Sequence, residues 1–151
     1  MRVFAATLLA ISLSACHTTA PATHGNGEAN TMQFVEDLFE TFNTHNSQAL
    51  AAFYTEDARV ISPENCTPTI GRNAIAANYQ ALFDEIPDVY DALETVVIEG
   101  DKVALTFTAS SKIEGRAFEL PIAAFMTLEG GLISEDKVYF DTDMTPDCEN
   151  Q

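Results

Sequence analysis

The chain has 151 residues, 46% of them apolar, with 7 basic against 23 acidic side chains and a formal net charge of −16. That length fits a single domain, and the apolar content fits one buried core rather than a disordered chain. So acidic a surface repels phosphate backbones and anionic head groups, which excludes nucleic acid as a partner and leaves no basic patch to hold a membrane; it either draws in cationic ligands or is a solvated face.

Residues 1–15 read as a secretory signal. Arg2 is the only charge before Cys16, and an apolar run and a small-residue cut site follow it. The run is too short to span a bilayer, which takes roughly 20 apolar residues. Leu13-Ser14-Ala15-Cys16 resembles the lipobox of bacterial lipoproteins. That resemblance implies a diacylated Cys16 as first residue and a location in the cell envelope, periplasm-facing, held to the membrane through lipid alone. His17, where Asp would favour the inner membrane, points to the outer one. The alternative is an ordinary secretory signal with a coincidental cysteine. Residues 16–31 are rich in Thr, Ala, Gly and Pro and read as a flexible tether, in which His17 and His24 make a poor metal site. With Cys16 lipidated, Cys66 and Cys148 remain for a disulfide closing a loop of about 80 residues, worth roughly 4 kcal/mol in the chain-entropy model. Two independent thiols are the other possibility.

Ordered structure is expected from about Thr31, with Phe34, Val35, Leu38, Phe39 and Phe42 on one helical face. Residues 43–46 break that helix, and Ser47 is a candidate N-cap for a second one reaching Tyr54. Residues 58–61 read as a short strand, followed by a loop to Gly71. Ile75, Tyr79, Leu82, Phe83 and Ile86 make the stripe of a helix over 72–86, which Pro87 ends. The period then changes to two. Strands are expected at 93–99, 102–113, 116–128 and 132–141, separated by turns at Gly100, Gly115, Gly130 and Gly131. Three helices followed by a four-strand antiparallel meander is an α+β pattern, and a long curved sheet covered by helices leaves a conical cavity suited to a small apolar ligand.

The order of elements and the strings at 49–60 (ALAAFYTEDARV), 71–75 (GRNAI) and 131–135 (GLISE), with Tyr139, Phe140 and Asp141, resemble the SnoaL-like polyketide cyclases of the nuclear-transport-factor-2-like superfamily. The resemblance implies a cone-shaped curved antiparallel β-sheet wrapped around N-terminal α-helices, over a domain at 32–145 with a tail at 146–151. It is specific for fold and weak for function. Family enzymes that move protons place a carboxylate deep in the cone, and Asp141 matches the aspartate of the family's final strand. Desolvation would raise its pKa toward a useful value. Tyr54, Tyr79, Phe83 and Tyr139 are the candidate ligand contacts, a tyrosine serving as oxyanion partner. Asp141 could equally accept backbone hydrogen bonds at a strand end or face water.

Strand parity leaves two sets open for the cavity wall: Ile133, Glu135, Lys137, Tyr139 and Asp141, or Leu132, Ser134, Asp136, Val138 and Phe140. Val138, Thr106 and Thr108 stand where the limonene-epoxide-hydrolase branch carries its Asp–Arg–Asp set, which disfavours that chemistry. No metal site and no cofactor is expected: His45 has no ligating neighbour, and no phosphate loop or nucleophile elbow is present. The reading is therefore a lipid-anchored domain that binds a small apolar molecule. The alternatives are a cyclase or isomerase acting through Asp141 on a polyketide- or steroid-like ketone, and a module that forms a homodimer through its sheet.

Overall fold

A computed structural model of the protein describes residues 25–113 and 115–141. Cys16, the signal, most of the expected tether, Cys148 and the expected tail lie outside those residues. Helix α1 is Gly25–Phe42, α2 is Ser47–Ala51 and α3 is Arg72–Glu85. The strands are β1 (Tyr54–Ile61), β2 (Thr69–Ile70), β3 (Tyr90–Glu99), β4 (Lys102–Ile113), β5 (Arg116–Glu129) and β6 (Leu132–Phe140). They form one curved, unclosed sheet in the order β2-β1-β6-β5-β4-β3.

The meander of β3 to β6 is antiparallel, as expected, but β1 joins β6 in parallel and the short β2 pairs back on β1. The parallel contact follows from the long excursion through α3 and the meander that separates β1 from β6. Helix α1 starts at Gly25 rather than near Thr31, with Glu28 in its first turn complementing the helix dipole. The tether expected up to residue 31 is therefore helical from Gly25 onward. Asn46, not Ser47, caps α2: its side chain accepts from the Ala49 N–H at 3.0 Å, while the Ser47 hydroxyl donates to Gln80 on α3.

The apolar faces of the helices lie on the concave side of the sheet. Val35, Leu50, Ile75, Val103 and Ile133 are fully enclosed there. A cluster of rings (Phe42 against Tyr79 and Phe83, Phe39 against Phe107) ties α1 to α3 and to the sheet in edge-on geometry. The packing does not fill the cone. A cavity of about 480 Å³ remains between α1, α3 and the sheet.

Candidate active site

Three devices place the cavity's polar groups. Gly71, at φ +90°, lets the chain turn into α3, and its N–H donates to Ala58 O at 2.8 Å. Arg72 then donates from Nε and Nη2 to Tyr54 O, at 2.9 and 2.7 Å. This clamp fixes the start of β1 against the start of α3, so Tyr54 faces Tyr79 two turns along the helix.

The second device is a bulge in β6. Leu128 pairs with Ile133 but Thr127 pairs with Glu135, so β6 carries one extra residue at that point. A bulge shifts which alternate side chains point inward. Ile133 faces the core before it; Asp136, Val138 and Phe140 line the cavity after it. The third device is Asn43, whose side chain donates to Asp91 O and accepts from Asp91 N–H, both at 2.9 Å. His45, at φ +56°, donates from Nε2 to Val89 O at 2.7 Å. The break after α1 thus fastens the beginning of β3.

The result is a hydrogen-bonded row inside an apolar wall. The Tyr54 hydroxyl donates to Asp136 Oδ2 at 3.0 Å, and the Tyr54 and Tyr79 hydroxyls are 2.9 Å apart. Since Tyr54 spends its proton on Asp136, its oxygen accepts from Tyr79. Asp136 is only 3% exposed, and its Oδ1 has no hydrogen-bond partner among the described residues. Burial pushes its carboxyl from 3.8 up to about 6, against a smaller downward pull from the Tyr54 hydrogen bond. Burial also holds both tyrosines well above their usual range, reinforced by the charge of Asp136, so they stay protonated donors.

Asp141 does not belong to this row. It follows the last residue of β6, is exposed and is not part of the cavity wall, so it is no acid–base group of the cone. Its parity is that of Tyr139, which the bulge turns outward. Tyr139 is 55% exposed and packs edge-on against Phe125, itself 53% exposed, on the convex face. It cannot contact a ligand in the cone. Tyr54 and Tyr79 do line the cavity. Phe83 does not: it is buried behind the wall, against Phe42 and stacked on His45. Among the described residues, no group of three His, Cys, Asp or Glu could hold a metal ion.

Sequence reasoning passed over Asp136 and Asp91. Asp136 carried a signal, as the one acid in a set otherwise ending in Val138 and Phe140. Asp91 carried none, because β3 was expected to begin only at residue 93.

A profile of the SnoaL-like domain matches residues 35–136, two thirds of the chain, from within α1 to Asp136. The chain belongs to the SnoaL-like domain family. Among curated proteins none matches its sequence. Several solved structures share the fold. One, from a Jannaschia species, is named for the SnoaL-like polyketide cyclases: TM-score 0.67 at 20% identity, covering 75% of this chain and 86% of that one. The epoxide hydrolase/cyclase-like enzyme SalBIII, of pyran ring formation in the polyether salinomycin, gives 0.68 at 18% identity over 76% and 93%. A nuclear-transport-factor-2-like protein of unknown function from Burkholderia pseudomallei gives 0.65 at 19% over 74% and 91%. At these identities the likeness of this SnoaL-like domain to them is one of fold.

Proposed function

We propose that this SnoaL-like domain takes a small, mostly apolar molecule into its cone and that Asp136 moves a proton on it, in chemistry of isomerase or cyclase type. The observation that carries the reading is the Asp136 carboxyl, enclosed by apolar side chains, bonded at one oxygen and bare at the other. Such a group costs stability, and a pocket that only binds grease has no use for it. Near pH 7 it is largely ionised yet basic enough to accept a proton.

The step is ordinary enolate chemistry. A C–H bond beside a ligand carbonyl breaks, an O–H bond forms on Asp136, and the electron pair moves to the carbonyl oxygen. Returning the proton to another carbon completes an isomerisation; attack of the carbanion within the same molecule closes a ring. The bare Oδ1 takes the proton, and the Tyr54 hydroxyl holds the carboxyl in place through Oδ2. The names of the Jannaschia and salinomycin relatives agree with this reading.

Deuterium exchange into 2-tetralone, followed by proton NMR, tests it. The wild-type protein should speed exchange, and Asp136→Asn should fall to the buffer rate while still binding the ketone. Binding without exchange in the wild type would instead favour a ligand-binding domain with no catalysis. That second reading draws on one feature: in the resting row both tyrosine protons are already committed, one to Asp136 and one to Tyr54.

For its setting, we propose that Cys16 carries a lipid anchor in the cell envelope and that Cys66 pairs with Cys148. Residues 13–16 and the number of cysteines support both. Radiolabelled palmitate should enter the wild-type chain and not Cys16→Ser. A peptide map made without reductant should join the peptides holding Cys66 and Cys148.

A further inference from the structure

Three buried side-chain polar atoms among the described residues have no hydrogen-bond partner: Asp136 Oδ1, Asp91 Oδ1 and Ser111 Oγ. All three residues line the same cavity. The proposed proton transfer uses the first and leaves the other two unexplained. Asp91 and Ser111 are neighbours. Asp91 pairs with Ala109 across β3 and β4, so Ser111 lies on the same sheet face, diagonal to Asp91 and within reach of one small ligand group. Asn43 holds the Asp91 backbone by donating to its carbonyl and accepting from its N–H, yet among the described residues no group bonds its carboxyl. Asp91 is 7% exposed.

The charge around this corner has one sign. Among the described residues the carboxyls lining the cavity are Asp91, Asp136, Glu64 and Glu85, and no Lys, Arg or His lines it. Glu64 and Glu85 are exposed, beside Asn65 and Asn78. They form an acidic rim on a chain of net charge −16, a field that concentrates cations and turns anions away. Phe39, Phe42 and Phe107 supply aromatic walls, a surface that favours a cation over an anion.

We infer that Asp91 and Ser111 form a binding corner for the protonated amine of an otherwise apolar ligand, the amine donating to the Asp91 carboxylate and the Ser111 hydroxyl. The inference rests on the proposed use of the cone as a ligand site, and it names the ligand class: a lipophilic amine whose hydrocarbon body reaches toward Asp136. Burial alone lifts Asp91 to about 7, with no cation opposing it. A carboxyl so placed gains most from a partner that brings both a positive charge and donor hydrogens.

The test uses the full chain and three fluorescent probes of one shape: 1-naphthylmethylamine, 1-naphthylmethanol and 1-naphthoate. Titration near pH 8 should rank them ammonium first, alcohol second and carboxylate last. The amine should bind about tenfold or more tighter than the alcohol. Asp91→Asn should remove that preference, the amine then binding no tighter than the alcohol. If that variant does not fold, the wild-type ranking decides. Alcohol binding as tight as amine binding, or carboxylate binding tighter than either, would overturn the amine corner and leave the cone as a ligand site. Binding of none of the three would remove both.

Discussion

Replacing Asp136 by Asn should stabilise the protein near pH 8 and destabilise it near pH 4. In the unfolded chain the carboxyl titrates near 3.8; in the folded protein burial holds it at about 6. Below about pH 4 it is protonated in both states, so its ionisation adds nothing to stability. Between the two values the folded protein keeps a proton that the unfolded chain releases, and stability falls as pH rises. Above about pH 6 the full penalty is present. The interval from 3.8 to about 6, at 1.36 kcal/mol for each pH unit, makes that penalty about 3 kcal/mol. The amide carries no charge and can still accept from Tyr54, but its NH₂ takes the place of Oδ1, where no partner sits. That costs about 1–2 kcal/mol at every pH. The variant should therefore be about 1–2 kcal/mol more stable than wild type near pH 8 and less stable by a similar amount near pH 4. Urea unfolding followed by circular dichroism at a series of pH values measures the difference directly. A difference between variant and wild type that stays flat across this range would refute the reasoning, because the carboxyl would then not be paying for its burial.

Tyr54→Phe removes the donor to Asp136 and the acceptor for Tyr79. The Asp136 carboxyl should then titrate above 6, seen by carbon NMR of labelled aspartate, and a downward move would contradict the geometry. Asp141→Asn should leave both stability and the exchange of 2-tetralone unchanged, since that side chain is exposed outside the cone; a loss of exchange would return it to the site. On the convex face, Val97, Phe125 and Tyr139 are exposed together. If two copies pair there, sedimentation should show a dimer that Tyr139→Glu dissociates, and a wild-type monomer at every concentration would end that idea.

The sequence made the long elements legible where period and punctuation agreed. The five-residue stripe on α3 ran into Pro87, and β4 lay between two glycine turns, so α3 and β4 fell within a residue of their observed bounds. What stayed hidden depended on contacts far apart in the chain. β2 is two residues long and exists only because β1 offers an edge. Asn43 looked like a helix breaker, and its partner Asp91 is 48 positions away. The choice of proton-carrying group failed for a local reason of another kind. Alternation along β6 is correct on either side of Ser134, but the bulge there joins one face to the other. Counted without the bulge, alternation leaves both faces open for the cone, so the family resemblance alone puts Asp141 and Tyr139 there and Asp136 goes unchosen.

The two buried acids share one cavity, and burial is what raises each of them. Tyr79 feels the charges of both Asp136 and Asp91, and the other titratable groups lining their cavity are Tyr54 and, at the rim, Glu64 and Glu85. An ammonium held at Asp91 would bring a positive charge into that space, and its attraction for the ionised form would lower the proton affinity of Asp136. Ligand capture would then ready the base: the empty cone keeps part of Asp136 protonated near neutrality, and the occupied cone ionises it. Saturating 1-naphthylmethylamine should accordingly move the Asp136 titration below about 6, whereas 1-naphthylmethanol should leave it in place or raise it. Equal shifts with the two probes would mean that desolvation by the naphthalene body, rather than the charge at Asp91, governs the base.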